Sequence, residues 1–268
     1  MRYSKKAIAE MLAADYTLLY KPMPPEVKEM FPVLSMSLSN ELNGIHVTTE
    51  HRGKMTGNYS ISGSVKCESC QAKIRFAMER TGGKSVKEAL KENPLRTDIP
   101  ICGACYSDKQ VDYQPSMQPV LMRNEMILNN GIIHDDWIPF FNALYERGQA
   151  FGDTNSLNGA MNQIRFAELN PETQIGQWGK NLRWFIQLFE GGVAKPKNMK
   201  LVYSSMYINR KSPIPARWKP YIDKRFTAYT PEFAKLHGIQ INCGARACMD
   251  CFRCYKDGVF DIAESVKF

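Results

Sequence analysis

The 268-residue sequence lacks any long hydrophobic run. No stretch approaches the ~18 consecutive apolar residues that a membrane-spanning helix needs, so we expect no membrane association. Residues 1–21 also lack an apolar segment followed by a small-residue cleavage site, and they do not resemble a secretory signal. These absences predict a cytoplasmic protein in a reducing environment, where paired cysteines more often bind a metal than each other.

Motifs of several common enzyme classes are missing as well. The sequence contains no glycine-rich phosphate loop, no GxSxG nucleophile motif and no HExxH zinc motif. It has only 4 histidines, and none lies at metal-ligand spacing from a cysteine. Nucleotide hydrolysis and serine-based catalysis therefore have no support, and a metal site would have to use other ligands.

Cysteine is the residue type with the clearest pattern. The 8 cysteines form two CxxC pairs and one group of four, and none stands alone. They are Cys67, Cys70, Cys102, Cys105, Cys243, Cys248, Cys251 and Cys254. Because the chain has 44% apolar residues, it can form a core without disulfides. Thiolates favour zinc and iron–sulfur clusters, so we predict that all of these cysteines are metal ligands.

The C-terminal cysteine group, Cys243, Cys248, Cys251 and Cys254, has the spacing C-x4-C-x2-C-x2-C. This run contains the C-x2-C-x2-C triplet of ferredoxin-type loops, in which closely spaced thiolates surround one cluster. The spacing therefore favours a [4Fe–4S] cluster. Zinc, disulfides and free thiols are the alternatives.

The N-terminal cysteine group, Cys67, Cys70, Cys102 and Cys105, has the spacing C-x2-C-x31-C-x2-C. Two pairs with a long insert are typical of zinc ribbons and treble clefs, which makes zinc possible here. A second iron–sulfur cluster is another possibility, and so is a shared site in which Cys102 and Cys105 join the C-terminal group. Spacing alone does not divide eight ligands between sites.

Alternating strand and helix patterns predict an α/β fold. Strands are predicted at residues 148–153, 173–180, 200–209, 225–230 and 239–242, with helices at 135–148, 156–169, 181–192 and 231–238 between them. This order predicts parallel βαβ units in an open sheet or a barrel, partial or full. Residues 1–56 are predicted as an N-terminal helix with an extension, and residues 57–268 as the α/β domain with the cysteine-rich metal-binding segments.

Ligands of such folds bind at the carboxyl ends of the strands. Cys243, Cys102 and Asp153 each follow a predicted extended segment, so they would meet there if the segments are parallel neighbours. Asp153 is the candidate catalytic residue outside the cysteines. The alternative role for Asp153 is to form a turn or cap a helix.

Several stretches together resemble a known family. They are "GKMTGNYSIS", "ICGACY", "RNEMIL", "QAFGD" and "INCGARACMDCFRCY", within residues 53–260. Their order is similar to that of the bacteriophage "gene product eighty-eight" family of phages and mobile elements. The resemblance implies metal or iron–sulfur binding and a fold like the partial barrels of radical S-adenosylmethionine enzymes. The C-x3-C-x2-C motif of those enzymes is absent from this sequence.

The sequence thus predicts an iron–sulfur protein, either a redox protein or an enzyme that converts a small molecule. Oxidoreductase, lyase and radical chemistry all remain open. An iron without a thiolate ligand could bind a small-molecule substrate, whereas a fully ligated cluster would serve an electron-transfer partner. The alternative is a zinc-stabilised nucleic-acid-binding module, because the net charge of +8 favours anionic partners.

Overall fold

The computed structural model describes the chain in several stretches. These are residues 47–49, 59–115, 117–129, 131–133, 135, 138, 144–244 and 246–266. The helix predicted at the N-terminus lies outside them. The first described strand begins at Val47, so the predicted boundary at residue 56 falls between two strands of one sheet. The division into two parts stays a prediction.

A largely parallel sheet forms the centre of the described chain. Its seven strands are β1 (Val47–Thr49), β2 (Tyr59–Ile61), β3 (Tyr145–Gly148), β4 (Gln174–Gly179), β5 (Met199–Ser204), β6 (Lys224–Tyr229) and β7 (Asp261–Ser265). They lie side by side in chain order; β1 is antiparallel to β2, and every other neighbouring pair is parallel. The general α/β prediction is confirmed. The carboxyl ends of β2 to β7 meet at one edge, which we call the carboxyl edge.

Eight α-helices connect or flank the described strands. They are α1 (Glu68–Arg80), α2 (Val86–Glu92), α3 (Tyr106–Tyr113), α4 (Met117–Asn129), α5 (Leu157–Leu169), α6 (Arg183–Glu190), α7 (Pro231–Leu236) and α8 (Cys248–Cys251). The predicted helices α5, α6 and α7 are confirmed. Ser156 caps α5 by accepting a hydrogen bond from the Gly159 amide at 2.9 Å. In the described part of the chain, no helix combines the length and apolar character needed to cross a membrane.

The two faces of the sheet carry different side chains. Ile175, Met199 and Leu201 lie on the face that packs against α5 and α6, where Ile164 and Phe185 are fully buried beside them. We call this the helical face. Because side chains alternate along a strand, the residues between these positions point to the opposite face.

The opposite face holds Tyr145 and Arg147 on β3 together with Gly176 and Trp178 on β4. The register pairs Arg147 with Gly176, so these four residues lie on the same side of the sheet. We call it the cysteine face, because Tyr255 of the C-terminal cysteine segment packs onto it.

Glu146 on β3 is a buried carboxyl on the helical face. Its side chain is 1% exposed, and its Oε1 atom accepts a hydrogen bond from the Ile61 amide at 3.0 Å. Among the described residues, Oε2 has no hydrogen-bond partner. Burial raises the pKa of Glu146 to about 8, and the Ile61 hydrogen bond and the Arg147 charge lower it by less. The carboxyl is therefore mainly protonated at neutral pH.

Two predicted strands are placed differently in the structure. The strand predicted at residues 148–153 lies earlier, because β3 ends at Gly148 and the chain then turns through Gln149 and Gly152, both with positive φ. Consequently, the helix predicted at residues 135–148 is wrong at its end, which is β3. The rest of that helix lies largely outside the described residues.

The last predicted strand, residues 239–242, is also wrong. The last described strand is β7, and residues 239–242 only run beside it. Asn242 donates its amide to the Ala263 carbonyl at 3.0 Å, and its side-chain oxygen accepts a hydrogen bond from the Ala263 amide at 2.9 Å. Pairing then ends at one parallel bridge between Cys243 and Glu264. Cys243 therefore lies beside a strand rather than after one.

Replacing Asn198 with alanine is expected to destabilise the α5–β4 connection. The buried Asn198 amide donates to the carbonyls of Ala167, Asn170 and Thr173, each at 2.9 Å. Without that amide, three carbonyls lose a donor, and we expect the free energy of unfolding to fall by about 1–3 kcal/mol. Denaturant titration measures it, with the neighbouring exposed Lys197→Ala as control. Equal stability of the two variants would contradict this role.

Candidate metal centres

The N-terminal cysteine group is assembled at the carboxyl edge. Cys67 follows β2 as the N-cap of α1, and Cys70 lies in the first turn of that helix. Cys102 lies in a 3₁₀ turn, Ile101–Ala104, and Cys105 is the N-cap of α3. The 3₁₀ turn packs against α1, so the two CxxC pairs lie on neighbouring elements there.

Backbone contacts hold the second CxxC pair above β5. The Ile101 amide donates to the Met206 carbonyl at 2.9 Å, just beyond the end of that strand. Gly103 allows close approach to the two preceding helices, because a Cβ atom there would lie 2.6 Å from Val86 Cγ2 and 2.8 Å from Ala77 Cβ. Glycine between the two cysteines is therefore required by α1 and α2.

The thiols of Cys67 and Cys70 are unequal. A hydrogen bond from Cys70 is the largest influence on the pKa of Cys67 and lowers it, and the Asn155 amide adds a contact of 3.4 Å to the sulfur. The same hydrogen bond, followed by burial, raises the pKa of Cys70 well above its usual range. Cys67 is thus the thiol of this pair that gives up its proton first.

Charged residues surround the N-terminal cysteine group. Lys73 on α1 donates to Asp153 at 2.9 Å, and the carboxylate of Asp153 is 7% exposed. Lys180 follows the end of β4; burial lowers its pKa, but Cys102 and Asp153 raise it overall. Burial raises the pKa of Cys102, and Lys180 opposes that effect. Two lysines are thus placed to offset the charge of thiolates at this edge.

Asp153, the predicted catalytic residue, lies in this charged environment. Its Oδ1 atom accepts a hydrogen bond from the Thr154 amide at 3.0 Å, and Ser156 rather than Asp153 caps α5. The structure brings Asp153 together with Cys70 and Cys102, whereas Cys243 lies with the C-terminal group. A catalytic role for Asp153 stays a prediction.

The C-terminal cysteine group is arranged around a single helical turn. Cys248 and Cys251 begin and end α8, and Phe252 follows in the left-handed conformation with φ of 54°. That conformation reverses the chain, so Cys254 returns toward the other cysteines. Arg253 donates to the Asn242 carbonyl, which ties the turn to the segment that carries Cys243.

Electrostatic contacts show that these four thiols are neighbours. Burial is the largest of the influences that raise the pKa of Cys254 to about 12; Cys243, Cys248 and Cys251 also raise it, while Arg147 lowers it. Such a group of neighbouring, partly buried thiols is costly to ionise without added positive charge. Its donor set is therefore suited to a soft cation.

Aromatic residues fix this segment to the cysteine face of the sheet. Phe252 stacks on Tyr145 with ring centroids 4.4 Å apart, and Tyr255 lies 4.8 Å from Tyr145 and 5.8 Å from Trp178. Gly176 leaves room for Tyr255, because a Cβ atom there would lie 2.8 Å from the Tyr255 ring. These contacts anchor the segment to the sheet and bury Tyr255, which is 2% exposed.

None of the eight cysteines forms a disulfide in the structure. Within the described part of the chain, no three Cys, His, Asp or Glu side chains come close enough together to hold a metal ion. The two groups are therefore neighbouring sets of soft donors rather than formed coordination sites. Metal binding by all eight stays a prediction.

Sequence patterns did not identify Arg147 or Tyr106 as site residues. The Arg147 guanidinium lies 4.7 Å from the Trp178 ring centroid and 6.0 Å from that of Tyr106. Only the strand register of β3 and β4 shows that Arg147 faces the cysteines. The "CY" dipeptide of "ICGACY" was the one signal for Tyr106. Comparisons of the chain with family models, with curated proteins and with solved structures found no match.

Proposed function

We propose that the protein is an iron–sulfur redox protein with two metal centres. Cys243, Cys248, Cys251 and Cys254 would hold a [4Fe–4S] cluster. Cys67, Cys70, Cys102 and Cys105 would hold a second metal centre, a zinc ion or another cluster. The cluster supplies one-electron transfer when it is bound.

One observation carries this proposal: four partly buried thiols of one short segment lie near one another, and the same segment packs on the cysteine face beside Arg147 and aromatic rings. Buried thiols gain from a metal because its charge offsets the cost of ionising them. Arg147 lowers the pKa of Cys254 and so favours the thiolate form that metals bind. Phe252 and Tyr255 anchor the segment to the sheet.

The N-terminal group has a different environment, at the carboxyl edge where ligands of parallel sheets bind. Asp153 and Lys73 form a partly buried ion pair there, and Lys180 lies beside them. These residues can exchange protons or orient a small polar molecule. We therefore place substrate conversion at this edge and electron delivery at the C-terminal group.

The chain order of the strands also supports a partial-barrel fold of the radical S-adenosylmethionine type. Parallel strands in sequential order are the arrangement from which βα barrels are built. In a partial barrel, the cysteine face would be the inner surface. This assignment is by analogy of fold and leaves the reaction open.

Among the residues that the structure describes, we find no observation that favours nucleic-acid binding. Many basic residues are neutralised by aspartates: Lys66 binds Asp108 at 2.8 Å, and Lys200 binds Asp257 at 2.8 Å. Although the net charge is +8, Lys66 and Lys200 are paired with carboxylates and do not form a free basic surface. We do not propose this function.

Metal analysis of anaerobically purified protein tests the proposal. We expect brown protein with a broad visible absorption band and about four irons and four sulfides per chain, or about eight if both groups hold clusters. Iron, sulfide and zinc are measured on the same sample, and exposure to air should bleach the band. Colourless protein with zinc alone would contradict the iron–sulfur assignment.

A further inference from the structure

Arg147 lies against aromatic residues that are linked to both cysteine groups. Its guanidinium lies between the ring of Trp178, at 4.7 Å, and the ring of Tyr106, at 6.0 Å. A cation held over aromatic faces in a partly desolvated position is stabilised by the ring quadrupoles. The side chain is therefore fixed in place on the cysteine face.

The C-terminal cysteine segment reaches Arg147 through its own aromatic residues. Phe252 stacks on Tyr145, two residues before Arg147 on the same face, and Tyr255 contacts Trp178. Arg147 lies 4.7 Å from the Trp178 ring, which contacts Tyr255, the residue after Cys254. Burial lowers the pKa of Arg147, but Tyr106, Tyr255, Cys248 and Cys254 raise it overall. The positive charge thus lies beside the thiols of this segment.

The other side of Arg147 faces the N-terminal cysteine group. Tyr106 directly follows Cys105, and its hydroxyl donates to the Ala150 carbonyl at 2.9 Å. Ser107 donates to the same carbonyl, also at 2.9 Å. The start of α3 is therefore tied to the loop after β3, and the Tyr106 ring is fixed against Arg147.

We propose that Arg147 is a positioning residue of the C-terminal metal centre, where its charge stabilises the thiolate ligands and the reduced state. This inference rests on the proposed function. Reduction adds a negative charge to the centre, and a nearby fixed cation favours the more negative state. Loss of the cation makes reduction less favourable and metal retention weaker.

The test compares three variants of the anaerobically purified protein. Arg147→Met removes the charge, Arg147→Lys keeps it, and Arg183→Met removes an arginine that contacts Trp184 at 4.2 Å on α6. For Arg147→Met we expect a roughly tenfold less favourable reduction, a midpoint potential about 59 mV lower for one electron. Arg147→Lys should restore most of the shift, and Arg183→Met should show none.

If Arg147→Met does not fold, a second variant tests the same role of Arg147. Tyr106→Leu removes a ring that holds the guanidinium, at a side chain that is 46% exposed, and should shift the potential in the same direction by less. Potentials of Arg147→Met or, if it does not fold, Tyr106→Leu that equal the wild-type value would overturn the inference.

If the proposed iron–sulfur function is wrong, the role of Arg147 is tested by another measurement. If the protein contains zinc and no iron, we measure the zinc affinity of the same variants by competition with a chelator. Arg147→Met should then bind at least about tenfold more weakly, with rescue by Arg147→Lys. Unchanged zinc affinity, or a wild-type protein that binds neither metal, would overturn the role of Arg147.

Discussion

Replacing Cys251 with alanine is expected to abolish the visible absorbance and the iron of the cluster that we propose for the C-terminal cysteine group. Cys251 ends α8, and its thiol is one of the three that raise the pKa of Cys254. A four-thiolate set that loses one ligand keeps too few donors for stable ligation of every iron. Iron, sulfide and the visible spectrum of the anaerobic variant provide the measurement.

Cys102→Ala is the matched control, because it removes one thiol from the N-terminal group instead. We expect this variant to keep the C-terminal cluster and to lose only the second metal. Circular dichroism of both variants separates loss of metal from loss of fold. Unchanged absorbance and iron content in Cys251→Ala would contradict the assignment of the cluster to this group.

Replacing Glu146 with glutamine is expected to stabilise the protein at alkaline pH. The pKa of this carboxyl is about 8 in the folded chain, against 4.5 for an ordinary glutamate. The unfolded chain therefore releases its proton at lower pH than the folded chain does. As the pH rises from about 4.5 to about 8, the wild type loses stability progressively, and above that range the loss is complete.

Glutamine resembles the protonated carboxyl and still accepts the hydrogen bond from the Ile61 amide. The variant should match the wild type near pH 5 and be more stable at pH 8.5 by an amount on the order of a few kcal/mol. Denaturant titrations of both proteins across this pH range give the difference in their free energies of unfolding. Because both proteins carry the same cysteines, the effects of cysteine titration cancel in that difference. A difference that does not vary with pH would contradict the protonated state of Glu146.

Much of the fold after residue 156 could be predicted from the sequence. Helices α5, α6 and α7 have local start and stop signals, such as Ser156, Gly191 and Pro231. The strands β4, β5 and β6 between them are short segments with β-branched or aromatic residues, such as Trp178, Val202 and Phe226. Local chemistry and the tertiary structure agree at these positions.

The strands β3 and β7 could not be predicted, because tertiary contacts override their local pattern. β3 is "YERG", whose charged Glu146 and Arg147 suggest an exposed helix end, yet the sheet buries or half-buries both. β7, "DIAES", is short and polar at its ends. In contrast, "IQIN" alternates like a strand but uses Asn242 to bind the edge of β7.

The candidate sites divide in the same way. Cysteine spacing identified both groups, since closely spaced cysteines can be recognised from the sequence alone. Arg147 became apparent only from the register of β3 with β4, which is a long-range property. The contact of Arg147 with Tyr106 likewise joins residues from separate parts of the chain, and neither belongs to a ligand motif.

The aromatic contacts of Phe252 and Tyr255 with β3 and β4 have a consequence for folding. The four C-terminal cysteines are close in sequence, but Tyr145 and Trp178, on which their segment rests, lie far earlier in the chain. Contacts between such distant segments form late, because a long loop must close first. During refolding with iron and sulfide, recovery of colour should therefore follow the completed pairing of β3 with β4. Recovery of the brown colour would then report that β3 and β4 have paired.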